Sequence, residues 1–301
     1  YNQNLFKGMV RLNTTLSSNN GVIPQQDFTY FEVDQGEGIY TWNDYNENGI
    51  QELDEFEIAQ FQDAANFVRI LLPNQRFVKI RENTFGQTLT LNPQQWSGEK
   101  GLLKVLSRFY NTTSYIIDRK VRRANEDFNI NPFKEGGENQ LGLILNFRNA
   151  LFFNRGKQHY TTNYTYLNTA TDNLQSLGLQ SSKIESHQLN FSHKFWESWL
   201  LTSKSIRGRN QSTSENFVGR NFNLDTFEVN PKISYLLNSQ TRFDVFYNLI
   251  AKENNINGME MLDQKKVGFS FAYANDEKIS MNGEFTFIDN AFDGNAFSRV
   301  A

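Results

Sequence analysis

Between residues 241 and 288 the chain writes one pattern three times, and that pattern limits what it can fold into. In T-R-F-D-V-F-Y-N-L-I-A-K-E-N, Phe243, Val245, Tyr247, Leu249 and Ala251 share one face. Arg242, Asp244, Asn248 and Lys252 share the other, with Phe246 and Ile250 as exceptions. Q-K-K-V-G-F-S-F-A-Y-A sets Val267, Phe269, Phe271 and Tyr273 against Lys266, Gly268, Ser270 and Ala272. K-I-S-M-N-G-E-F-T-F-I-D sets Ile279, Met281, Phe285 and Phe287 against Lys278, Ser280, Asn282, Glu284 and Thr286. Period two over about ten residues specifies a half-buried strand. Globular strands run about 5–6 residues, whereas strands that cross a bilayer need about 9–11.

The links between strands sort by length. Short ones fall near 97–101, 154–157, 196–198, 238–241 and 275–277, and long polar ones near 124–140, 169–184, 209–226, 253–264 and from 289 onward. Outer-membrane barrels alternate in this way, with tight periplasmic turns at one end and extended loops at the other. Upstream, 5–16 and 85–96 read as two further strands and 102–121 as one long strand. The expected fold is therefore all-β: a transmembrane antiparallel up-and-down β-barrel, about eleven strands of it. Residues 1–16 hold the first strand, 17–84 form an extracellular insertion, and 85–301 supply the other strands. An odd count, no initiating Met or signal peptide, and an end at F-S-R-V-A read as a mature fragment from which strands are missing.

Composition agrees with strands that are wet on one side. Phe 27, Tyr 12 and Trp 4 coexist with a mean hydropathy of −0.60. A net charge of −3 gives no global footprint for nucleic acid, and none is expected as a partner. Cysteine is absent, which excludes disulfides and thiolate metal sites. No run of 18 apolar residues marks a membrane helix.

One stretch departs from the strand pattern. D-Y-N-E-N-G-I-Q-E-L-D-E, residues 44–55, fits the calcium-loop spelling D-x-[DN]-x-[DN]-G-x5-E in full. Asp44, Asn46 and Asn48 take positions 1, 3 and 5, and Gly49 makes the sharp turn. Ile50 would offer its carbonyl, Glu52 would bind through water, and Glu55 would close the shell with two oxygens. Position 8 is Gln51 where an apolar residue is usual. G-E-G-I-Y-T-W before the loop reads as a strand, and L-D-E-F-E-I-A-Q-F-Q-D-A-A-N after it as a helix with Leu53, Phe56, Phe61 and Ala64 or Ala65 on one side. Structural Ca2+ is the expected cofactor, stapling an insertion too small to build a sufficient core of its own. An ordinary Asn/Gly-rich turn is the plain alternative.

Other chemistry is sparse. His187 and His193 lie six apart on one strand, roughly 20 Å at ~3.3 Å per residue, too far to share a metal; His159 is isolated. Ser192 neighbours His193, but adjacent strand residues point to opposite faces. No catalytic residues are expected, and the chain reads as no enzyme. The basic cluster Arg119, Lys120, Arg122 and Arg123 reads as a solvated strand end or as a contact for anionic headgroups or an acidic partner. Trp196 and Trp199, beside a short turn, fit an interfacial aromatic girdle or simple packing.

G-E-G-I-Y-T-W-N-D-Y-N-E-N-G-I-Q-E-L-D-E-F-E resembles a stretch in large Bacteroidota outer-membrane β-barrel proteins, where it precedes a run of barrel strands. The matching residues are Gly38, Tyr40, Trp42, Asp44, Asn46, Asn48, Gly49, Leu53, Asp54, Glu55 and Phe56. The resemblance implies the cell outer membrane and a part in envelope secretion or assembly machinery. The leading expectation is a non-enzymatic barrel subunit of an envelope export or assembly complex, with outer-membrane lipid and other envelope proteins as partners. A pore or transporter for solute or polymer is the alternative, and a soluble calcium-stapled adhesin a third class.

Overall fold

The computed structural model describes residues 1–45, 47–123, 131, 133, 139–157, 159–175, 178–214, 221–256, 259–274 and 279–294. Its strands are β1 (Asn2–Leu5), β2 (Val10–Glu32), β3 (Tyr40–Trp42), β4 (Phe56–Ile58), β5 (Phe67–Leu91), β6 (Phe109–Arg122) and β7 (Gln140–Phe153). β8 (Tyr160–Gln175), β9 (Gly178–Phe195), β10 (Trp199–Ser214), β11 (Phe222–Leu236), β12 (Thr241–Asn254), β13 (Met261–Ala274) and β14 (Ser280–Asp293) follow. Twelve of them form one antiparallel path, β1-β2-β5-β6 and onward in chain order to β14, while β3 and β4 stand off it as a small hairpin. The eleven long strands expected from alternation are all present. The twelfth is β1, whose four residues pair Asn2↔Asn13 to Leu5↔Val10.

The sheet is not closed into a barrel. Among the described residues no ladder joins β14 to β1 or β2. A four-residue β1 could not satisfy the fourteen-residue edge of β14.

Four local expectations are corrected. Residues 53–66 form no α-helix: short 3-10 turns at Leu53–Glu55 and Gln62–Ala64 flank β4, which pairs Trp42↔Phe56 and Tyr40↔Ile58. Phe56 stacks on Tyr30 at 4.0 Å and meets Phe67 edge-on at 5.0 Å, so aromatic packing on β2 and β5 overrides the helical spacing. Residues 102–121 are not one strand, since a short helix α1 (Leu102–Leu106) precedes β6, entered at Gly101 with φ +66°. The contiguous apolar run L-L-K-V-L lacks the alternation a half-buried strand needs. The stretch 85–96 is strand only to Leu91, and Pro93–Gly98 turns in 3-10 form. Finally 169–184 is not a long loop: β8 and β9 stay paired as far as Gln175↔Gly178.

The insertion expected at 17–84 begins higher than those boundaries. β2 and β5 remain paired from Val10↔Leu91 to Glu32↔Phe67, so the segment outside their ladder is 33–66. The alternation of short and long links holds only in part. Links 154–159, 196–198 and 237–240 are short at one end, but 92–108 at that end is long. Opposite it 33–66, 123–139 and 215–221 are long, whereas 176–177 and 255–260 are short. The short link expected near 275–277 and the loop near 124–140 fall largely outside the described residues. The long loop expected at 209–226 is corrected in part, since 209–212 pair with 222–225 in the β10–β11 ladder.

Candidate membrane face and calcium loop

Register assigns every side chain in the sheet to one of two faces, because directly paired residues point the same way. Starting from Val245, the pairs Val245↔Phe269, Phe269↔Phe285, Ile233↔Val245, Leu201↔Ile233 and Leu201↔His193 carry one face across six strands. Continued through β8 to β2, this face has a belt without Asp, Glu, Lys or Arg. The belt comprises every second residue of 10–16, 85–91, 109–117, 143–153, 160–170, 187–195, 199–205, 227–235, 241–251, 267–273 and 281–287. Toward the long-link end it stops abruptly. In eight of these eleven strands the next residue on that face is charged: Arg119, Asp172, Glu185, Arg207, Asp225, Glu253, Lys265 and Asp289.

Only the longest runs of the belt reach the length of a membrane-crossing apolar band. Seven to eleven residues at about 3.3 Å give roughly 20–33 Å along a strand. A tilt of about 35–45° brings the longer strands near the ~25 Å apolar band of membrane barrels. At the short-link end the belt is edged by rings in contact. Phe109–Phe153 lie 4.8 Å apart, Phe153–Tyr160 6.0 Å, Tyr160–His193 6.3 Å, His193–Phe195 5.9 Å, Phe195–Trp199 6.3 Å and Trp199–Tyr235 4.9 Å. Trp199 thus belongs to a ring row, while Trp196 sits exposed in the turn beside it.

The opposite face holds the charges at the same level: Arg11, Arg148, Lys194, Lys204, Glu228, Lys232, Arg242, Asp244, Lys266 and Glu284. In the last strands the apolar face is as exposed as the polar face or more so. Val245 is 56 % exposed and Phe285 75 %, whereas Ser234 and Asp244 on the polar face are 1 % and 4 %. On β6 the order turns round. Ile117 and Arg119 are buried on the belt side, and Phe133 packs there on Phe85 and Tyr115 at 5.1 and 6.0 Å.

At the charged rim Arg209 grips Asp225 with two bonds, Nε to Oδ1 at 2.6 Å and a guanidinium NH2 to Oδ2 at 3.0 Å. Tyr166 donates to Glu185 at 3.1 Å. The basic cluster is divided by strand alternation, with Arg119 buried on the belt side and Lys120 paired to Glu82 at 3.3 Å on the other. It forms no continuous basic patch.

The loop 44–55 closes the β3–β4 hairpin, held at its neck by Asn43 N–H donating to the Glu55 carbonyl at 3.0 Å. Asp44 Oδ1 and Oδ2 accept from the N–H groups of Asn48 and Gly49 at 3.1 and 2.7 Å. Gly49 adopts φ +71°, where glycine alone is unstrained. Asn48 Oδ1 accepts from Ile50 N at 2.6 Å. Glu55 is 3 % exposed; its Oε2 accepts from Trp42 Nε1 at 2.9 Å and from Glu52 N at 3.3 Å, while its Oε1 is buried with no hydrogen-bond partner among the described residues. A buried carboxylate oxygen left without a partner is costly, and it is what the twelfth ligand of an all-oxygen calcium loop supplies. The residues fit a hard cation on that observation. Glu52 is turned instead to cap the Leu53–Glu55 turn, and Asn46 lies outside the described residues. Among the described residues no three His, Cys, Asp or Glu groups are gathered as a metal set, so Asp44, Glu52 and Glu55 do not converge. Nearby, Tyr45 donates to Glu57, and that bond holds its phenol above the ordinary range.

Sequence reasoning singled out the loop but missed the belt's sharp edge, which needs register to see. His187 donates to or accepts from Tyr164 at 2.7 Å through Nδ1, and His193 is packed among rings. Ser192 and His193 pair with Thr161 and Tyr160 on opposite faces. No helix among the described residues is long and apolar enough to cross a membrane. No protein-family model matches the chain, and no curated protein matches it.

Proposed function

We propose that this sheet is part of the wall of a Gram-negative outer-membrane β-barrel, its uncharged belt against lipid and its polar face toward the lumen. The observation that carries the reading is the belt itself: eleven strands free of charge on one face, eight of them carrying charge on the other at about the same height. A basic residue on a lipid face costs about 2–4 kcal/mol at the midplane, so random surface composition would not leave such a band empty. Backbone groups at membrane depth have no water to bond, so the edge at β14 requires a partner strand in this setting. The β2–β5 hairpin rises sixteen residues past Leu16, roughly 50 Å at ~3.3 Å per residue. A lone two-stranded ribbon is marginal in water.

That projecting arm favours a non-enzymatic subunit of an envelope export or assembly complex, with the arm docking other envelope proteins. Asp44, Asn46, Asn48, the Ile50 carbonyl, Glu55 and, through water, Glu52 would hold a structural Ca2+ at its tip. The separation of Ser192 from His193 leaves no nucleophile–base pair there. A pore or transporter is the second reading, favoured by the cationic polar face. Extraction from native membranes in mild detergent, followed by identification of what co-purifies, tests the first reading; recovery of a lone barrel contradicts it.

A further inference from the structure

Across β8 to β11 the polar face presents a row of paired amide and ammonium groups, and a further such pair stands on β12 and β13. Asn163 pairs with Asn190, Asn190 with Lys204 and Lys204 with Asn230, and on the next strands Asn248 pairs with Lys266. Asn190 Nδ2 donates to Asn163 Oδ1 at 3.4 Å. Lys232, opposite Thr202, is the diagonal neighbour of Lys204. Lys266 is neutralised by Glu284 at 3.3 Å, but among the described residues no carboxylate lies within ion-pair distance of Lys204 or Lys232. These groups line a hollow of about 500 Å³, a volume in the range of small-molecule sites. Phe246 also lines it, with its ring fixed across Gly268.

We infer that this hollow binds an acidic oligosaccharide, a reading that rests on the polar face being the lumen wall. The groups present match such a ligand one by one. Two adjacent ammonium groups attract carboxylates, and their diagonal neighbours Glu228 and Asp244 on the same face lie beyond ion-pair distance of them. Amides, which both donate and accept, suit hydroxyls. A flat apolar ring in a polar floor suits the C–H face of a sugar, and a simple inorganic anion has no use for it.

The test is calorimetric titration of the detergent-extracted protein with trigalacturonate, alongside maltotriose and tripolyphosphate. Trigalacturonate binds and maltotriose binds at least about tenfold more weakly, a difference of one charge-assisted contact or more. K204E/K232E lowers trigalacturonate affinity by about tenfold or more, K204Q/K232Q lowers it with no reversed charge to disturb the fold, and F246L weakens it while keeping an apolar filler. Absence of trigalacturonate binding, or binding unmoved by both lysine variants, overturns the inference. Tripolyphosphate binding as tightly as trigalacturonate and indifferent to F246L overturns the saccharide class. Detergent bound per protein, measured on the same sample, separates the two failures. A protein that carries a micelle but no sugar loses only this inference, and one that carries no micelle loses the membrane reading.

Discussion

The ring of Phe246 lies across the backbone of Gly268, its directly paired neighbour on β13. A Cβ at 268 would stand 2.2 Å from the Phe246 Cζ and under 3.0 Å from both Cε atoms. Phe246 is one of the apolar residues on the mostly polar face, and Gly268 leaves the space its ring occupies.

Gly268→Ala should therefore destabilise the protein by about 1–3 kcal/mol, the usual cost of overpacking. A denaturant midpoint followed by tryptophan fluorescence reads it. The double variant Phe246→Ala with Gly268→Ala should recover part of the loss, because the clash has only one partner. Additive losses would show that the ring is not what Gly268 accommodates.

Val245→Arg puts a charge in the middle of the uncharged belt, whereas Asn248→Arg puts the same charge on the polar face. In lipid the first should cost about 2–4 kcal/mol and the second little. Refolding yield into vesicles distinguishes them, and equal effects would remove the asymmetry on which the two faces are assigned.

The loop at 44–55 makes a chelation prediction. With calcium present, limited proteolysis within 33–66 should be slow; chelator, or Asp44→Ala with Glu55→Ala, should speed it several-fold. Identical digestion with calcium and with chelator would leave Glu55 as a hydrogen-bonding carboxylate and nothing more.

Phe56→Ala removes the ring stacked on Tyr30 and wedged against Phe67. Phe56 is only half-buried, so the expected loss is about 1–3 kcal/mol, below the full 3–5 of a core Phe→Ala. It should be confined to the β3–β4 hairpin, seen as faster amide exchange at Asn43 and Ala59, whose N–H groups bond across it, while β12 and β13 stay protected.

Much of this architecture is written in local pattern, and the exceptions have physical causes. Alternation alone marks β12, β13 and β14, since each has an apolar neighbour every second residue. The same rule fails at residues 53–66, where Leu53, Phe56 and Phe61 fall at helical spacing. There the pairing of Trp42 with Phe56 and the stack on Tyr30 decide the outcome. Half of residues 169–184 are Thr, Asn, Ser or Gln, polar enough to resemble a loop, yet 169–175 pair residue for residue with 178–184 because β8 and β9 extend each other's ladder. β1 is too short to show any period. The calcium loop was legible as a motif, but the burial of Glu55 came from the fold. The abrupt charged rim of the belt is a property of neighbouring strands in register, and no single segment contains it.

The most direct measurement uses the absence of cysteine in the chain. Single variants V245C, V267C and F285C on one face, and N248C, K266C and E284C on the other, are spin-labelled in lipid vesicles. Collision with oxygen, which concentrates in the acyl chains, is compared with collision with a water-soluble nickel chelate. Labels at 245, 267 and 285 should favour oxygen, and those at 248, 266 and 284 should not. Nickel reaching the first three as readily as the last three would mean that water bathes both faces, and the sheet does not line a membrane.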